Sequence, residues 1–231
     1  MITALRSRAE LELDRFALDP YCKLYLPLWK LDGDSFADHS AYGHLCTRYG
    51  TGTAPPAHWT PQGWSFDGVD DHVDCGNPSS LNQLPEFTWE SWFSLRAYNY
   101  FPHIVSKGSK ESYVRDTLVI TIRTSATTTE ASSQSIDQIT LATQTHYVAT
   151  YNDNTDRKFH IFLQGKEVAY AIQDAAVGAI TDETAYPLRI ADSDALDRPL
   201  DGLISLVLIY NRVLTPQEIL DHYIIGKEMF G

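Results

Sequence analysis

The run Phe87-Thr-Trp-Glu-Ser-Trp-Phe-Ser-Leu95 constrains this chain most. Extended, it puts Phe87, Trp89, Phe93 and Leu95 on one face and Thr88, Glu90 and Ser94 on the other. Segments of this kind recur from Lys23 onward at roughly ten-residue intervals, the spacing of sandwiches and barrels. Leu118, Ile120 and Ile122 alternate with Thr117 and Thr121. Phe159, Ile161 and Leu163 lead through Gln164-Gly165 into Glu167-Val168-Ala169-Tyr170, which predicts a hairpin. Leu203 to Tyr210 is apolar almost throughout, as in a strand covered on both faces. The 13 Tyr, 9 Phe and 5 Trp suit pleated, half-buried surfaces, and 231 residues suffice for one substantial core. The expected class is all-β.

Two segments read differently. Ile2, Leu5, Ala9, Leu13 and Phe16 recur at intervals of three and four, which predicts an amphipathic helix over residues 3–16 ended by Asp19-Pro20. Thr215-Pro216-Gln217-Glu218 forms a capping box with proline at the first helical position, opening a helix to about Ile225. Residues 124–138 are rich in Ser and Thr with one large apolar side chain, and are expected to form an exposed loop.

The formal net charge of −12, without a cluster of Lys or Arg, argues against a nucleic-acid partner. No run of about 18 apolar residues could span a membrane, and the charged start lacks the apolar stretch of a signal peptide. Cys22, Cys46 and Cys75 are odd in number, widely spaced and without a C-x-x-C pair, so they are read as reduced. Synthesis and folding in a cytoplasm follow as the expectation, with final work at a virion or cell surface left open.

Several segments, in order, carry a family resemblance. Asp38-His-Ser-Ala-Tyr-Gly43 looks like an Asp-x-Ser-Gly-x-Gly loop, and Gly63 to Val73 contains a Phe-Asp-Gly-x-Asp-Asp turn. Phe87-Thr-Trp-Glu-Ser-Trp92, Ile104-Val-Ser-Lys-Gly108, Thr145 to Tyr151, Phe159 to Val168 and Asp201 to Leu214 then follow. Together they resemble the laminin-G-like branch of the concanavalin A-like lectins and glucanases over roughly residues 23–225. The resemblance implies a jelly-roll sandwich of two antiparallel sheets, here with a short helix at each end. The chain then divides into a helical extension, residues 1–20, and a sandwich, residues 21–231. The family often holds a structural calcium ion, and the resemblance gives Asp38 and Asp201 as ligands, assisted by Tyr42 and Gly43. Ser205-Leu206 stands where the family usually carries an acidic pair.

Candidate chemistry is sparse. Glu10-Leu-Glu-Leu-Asp14 is the only run with three carboxylates at alternate positions, and it falls in the expected helix, outside any sheet that could serve a glucanase. Asp67, Asp70, Asp71 and Asp74 sit in a turn motif where short acidic residues bond their own backbone. No zinc-binding histidine spacing or nucleophile elbow occurs. Trp59, Tyr98, Tyr100 and Phe101 sit in loop-like segments from which rings could stack on sugars, local packing being the alternative.

These features lead to the expectation of a non-catalytic recognition or structural module that binds glycan or protein surfaces. It would be displayed on an assembly such as a phage or virus particle, with residues 1–19 serving self-assembly or docking. The alternatives are a free or accessory carbohydrate-binding lectin and, behind it, a glycan hydrolase.

Overall fold

The computed structural model describes residues 7–30, 35–50 and 58–231. Helices α1 (Arg8–Phe16) and α2 (Pro216–Phe230) flank the strands. In chain order these begin with β1 (Cys22–Pro27), β2 (Ser35–Ala37), β3 (Leu45–Tyr49), β4 (His58–Thr60), β5 (Gly63–Asp67) and β6 (His72–Asp74). Next come β7 (Glu86–Leu95), β8 (His103–Lys107), β9 (Lys110–Val114), β10 (Val119–Thr124), β11 (Ala131–Gln138) and β12 (Thr145–Asn152). The last are β13 (Phe159–Leu163), β14 (Lys166–Glu167), β15 (Tyr170–Asp174), β16 (Arg189–Ile190) and β17 (Asp201–Tyr210).

The first sheet runs β14-β13-β12-β7-β17-β5-β4, with β1 also on β17, and the second runs β15-β11-β10-β9-β8-β16-β6-β3-β2. The strand pairs are antiparallel, and the alternation in the sequence decides what lies between the sheets. Phe87, Trp89, Phe93 and Leu95 of β7 meet Ile104, Val114, Ile120 and Ile122 of the second sheet in one core. Trp92 points the other way, into a second cluster with Leu13, Val148, Leu206, Leu208, Ile219 and Phe230 beneath the two helices. The first sheet is thus apolar on both faces, which accounts for the nearly continuous apolar run in β17.

Helix α2 has the expected capping box, with Glu218 N–H donating to the Thr215 hydroxyl and Thr215 N–H to the Glu218 carboxylate. It extends to Phe230, beyond the expected end at Ile225. Helix α1 opens with a second capping box, Ser7 with Glu10. Its stripe is occupied within the chain: Ala9 and Leu13 are buried, and the Phe16 ring stacks 3.7 Å from His222 on α2. Ile2 and Leu5 lie outside the described residues. The described part of the stripe thus packs on α2 and the sheet beneath it within the chain.

Three other expectations change. Residues 131–138 form β11 between β10 and β15, with Ala131, Ser133 and Ser135 buried. Cys46 and Cys75 form a disulfide, since pairing Thr47 with Asp74 brings their Cα atoms to 4.1 Å; Cys22 is free and buried. The hairpin turns at Gln164-Gly165, both at positive φ (52° and 75°), and Lys166 to Val168 return along it, but no further. Tyr170 to Asp174 crosses to the second sheet as β15.

Candidate functional site

The face of the second sheet turned away from the core carries a polar cavity of about 550 Å³. Register builds its floor. On the β8–β9–β10 ladder His103 pairs with Tyr113, Tyr113 with Thr121, and Glu111 with Arg123, so these side chains share a face while Val114, Ile120 and Ile122 point into the core. Phe101, Arg115, Tyr186, Asp194 and Arg198 wall the cavity from loops far apart in sequence.

The floor is tightly organised. The His103 ring stacks 5.1 Å from Tyr113, and its Nδ1 lies 2.8 Å from the Phe101 carbonyl oxygen. Arg123 donates from Nε and Nη2 to one oxygen of Glu111, both at 2.8 Å. Burial pushes the Glu111 carboxyl up, but His103 and Arg123 outweigh it and hold it below its ordinary value. Burial raises the Tyr113 hydroxyl, which stays protonated as a donor. At the rim Tyr100 and Phe101 meet edge to face at 4.7 Å; Arg198 lies over Tyr100 at 4.5 Å and Arg115 over Phe101 at 5.7 Å.

The aromatic residues singled out in the sequence are divided by the fold. Phe101 lines the cavity and Tyr100, 66% exposed, flanks it. Tyr98 packs on the core, its hydroxyl accepting from Phe101 N–H at 3.4 Å. Trp59 lies on β4 in the other sheet, opposite Trp64, with its indole N–H donating to the Trp29 carbonyl at 2.7 Å. Nothing in composition marks His103, Glu111, Tyr113 and Arg123 as a group. The signal that could have found them is the alternation on either side of the Lys107-Gly108 turn, which puts Glu111 and Tyr113 on the face opposite Val114.

The proposed calcium ligands are engaged elsewhere. Asp38 is buried and accepts from the backbone N–H groups of Tyr25, Ser40 and His44 and from the Ser40 hydroxyl, with His44 Nδ1 at 2.6 Å. Asp201 holds Arg96 Nη1 at 2.6 Å, and burial raises its carboxyl despite that guanidinium. The Tyr42 hydroxyl accepts from Lys23, and Gly43 supplies a φ of +60° to the turn. Donors already occupy both oxygens of Asp38, so this set does not fit a cation. Asp67, Asp70 and Asp71 each bring one oxygen within 4.8 Å of the others. Within that group Asp71 accepts from Asp67 N–H and Asp67 from Val69 N–H, as in a self-bonded turn.

Comparisons with known proteins agree with the fold. The Laminin_G_3 model, described as the Concanavalin A-like lectin/glucanases superfamily, matches residues 67–220. No curated protein matches the chain in sequence. Among solved structures, a Trypanosoma rangeli sialidase in complex with a difluorinated keto-deoxy-nononic acid aligns with TM-score 0.65 and 14% identity, over 97% of this chain and 39% of that one. The binding domain of Paraclostridial Mosquitocidal Protein 1 aligns with TM-score 0.64 and 12% identity, over 91% and 52%. A botulinum neurotoxin type C structure, whose cell entry is described as dependent upon interaction with two ganglioside molecules, gives TM-score 0.64 and 11% identity, over 93% and 52%. The chain thus spans about two-fifths to half the length of these structures. At such identities the likeness is one of fold.

Proposed function

The chain belongs to the concanavalin A-like lectin/glucanase superfamily, and on that footing we propose that it is a non-catalytic recognition module whose cavity on the second sheet binds a saccharide. One observation carries this: Phe101, Tyr113 and Tyr186 line the same cavity as the Glu111–Arg123 pair. Rings offer apolar faces to the C–H side of a sugar, while fixed carboxylate and guanidinium groups bond its hydroxyls. The ganglioside interactions described for the toxin neighbour support a carbohydrate rather than a protein ligand.

Recognition is favoured over hydrolysis by the state of the carboxyls. A glycosidase needs one carboxyl held protonated as general acid, whereas Glu111 is held below its ordinary value. Asp192 is raised by burial, yet it is fully buried and does not line the cavity. The described part of α1 packs on α2 and the first sheet, and saccharide recognition needs no docking element.

A glycan array probed with the full chain and with Phe101→Ala tests the proposal. Binding by the parent that weakens in the folded variant supports it. A folded parent that retains no saccharide, or that releases sugar from one, overturns it.

A further inference from the structure

Resting on that saccharide reading, we infer that Tyr186 is the ring on which the sugar stacks, and that Lys107 and Asn77, neither of which lines the cavity, are the positioning residues that hold it there. The chain between Ile180 and β16 forms no strand, yet it brings Thr181, Asp182 and Tyr186 to the cavity wall. Without a ladder its carbonyls need donors from elsewhere. Lys107 Nζ donates to the Tyr186 carbonyl at 2.6 Å and to Asn77 Oδ1 at 2.8 Å, and Asn77 Nδ2 donates in turn to the Thr184 carbonyl. The segment is thus gripped on both sides of Ala185, and Pro187 restricts the Tyr186 backbone further. Lys110, from the other strand of the same hairpin, holds the Glu183 carboxylate at 2.9 Å, and Gln83 N–H donates to the same oxygen at 3.0 Å.

Two features separate this arrangement from ordinary packing. Lys107 is 2% exposed, and burial pulls its ammonium down to about 8, which Glu183 offsets only in part. An apolar side chain would fill the same space without that desolvation, so what the lysine adds is its pair of hydrogen bonds. Gly108, next along the turn, has a φ of +56° and seats the Tyr186 ring: a Cβ there would stand 2.8 Å from ring atom Cδ2. Held by its carbonyl and seated on glycine, Tyr186 remains 41% exposed at the wall. A ring fixed before binding loses little freedom when a sugar stacks on it.

The test is a double-mutant cycle, read by calorimetric titration of the full chain with the saccharide that the glycan array shows bound most tightly. Tyr186→Ala should weaken binding about tenfold. Lys107→Met and Asn77→Ala should each weaken it about threefold, the cost of ordering a released side chain, and neither should add to the loss in Tyr186→Ala. Lys107→Met should lower the melting temperature in both backgrounds, so stability and affinity separate. Leu13→Ala, which destabilises the chain from the helical layer, should bind as the parent does. Full affinity in Tyr186→Ala or in both positioning variants, equal losses with and without Tyr186, or a matching loss in Leu13→Ala overturns the inference and leaves the saccharide reading standing. A folded parent that binds nothing on the array overturns both. Should Lys107→Met not fold, Asn77→Ala, a change at an exposed side chain, decides through the same cycle.

Discussion

His222 on α2 places its Nδ1 2.8 Å from one oxygen of Glu90 on β7, and the other oxygen meets His146 Nε2 at 3.0 Å. The carboxylate is fully buried beneath the helices, where burial would push its pKa up. The charge of His222 and the hydrogen bonds from both imidazoles outweigh burial and hold it down to about 2. A carboxyl lowered on folding stabilises the protein above its unfolded value, near 4.5, and that contribution is lost as pH falls towards 2. The stability gap between the parent and Glu90→Gln should therefore be full at neutral pH and shrink across that window, read by urea melts at stepped pH. At neutral pH Glu90→Ala should cost about 3–5 kcal/mol, because two buried imidazoles lose their partner.

Helix α1 belongs to the same layer, which predicts what its removal does. Leu13 is fully buried, and Leu13→Ala should destabilise by about 2–5 kcal/mol. Deleting residues 1–19 should lower the melting temperature and leave the mass in solution unchanged, as light scattering on the truncated chain would report. A stable truncation with altered mass would return the helix to a docking role.

The Cys46–Cys75 bridge ties β3 to the end of β6 across a sequence separation of 29. A loop of that size contributes about 3.6 kcal/mol in the chain-entropy account, so reductant should lower the melting temperature of the parent and not of a Cys46→Ser/Cys75→Ser double variant. Thiol titration of denatured protein should find one thiol before reduction, Cys22, and three after it.

Trp89 is buried between the sheets against Phe87. Trp89→Ala should cost about 3–5 kcal/mol, measured by denaturant melts, since it leaves a cavity the size of an indole. A near-neutral result would place the ring outside the core.

How much of this was legible from sequence depends on which force decides each element. Phe87 to Leu95 could be read because burial alternates with the pleat, and Thr215 to Glu218 because capping is local chemistry. β11 could not, since its inward positions are an alanine and two serines. Ser133 is tolerated because its hydroxyl donates to the Phe159 carbonyl at 2.8 Å, and Ser135 because it donates to Asp137 and accepts from Ile120 N–H. Composition registers the hydroxyls and misses the partners. The cavity is hidden for a related reason: Tyr100 and Phe101 could be picked out, but Arg198 reaches Tyr100 only after the chain has crossed between sheets. The Cys46–Cys75 bond likewise follows from the pairing of β3 with β6, which spacing along the chain does not reveal.

β1 finds its partner in β17, with Cys22 set opposite Tyr210. During synthesis, therefore, β1 leaves the ribosome long before the strand it pairs with. At ~5–20 residues per second that interval is roughly ten seconds to more than half a minute. Throughout it Leu24, Tyr25 and Leu26, each with no exposure in the finished fold, have nowhere native to go. The nascent chain is most vulnerable to aggregation in this period, and its final rate of folding is governed by the closure of so distant a pair.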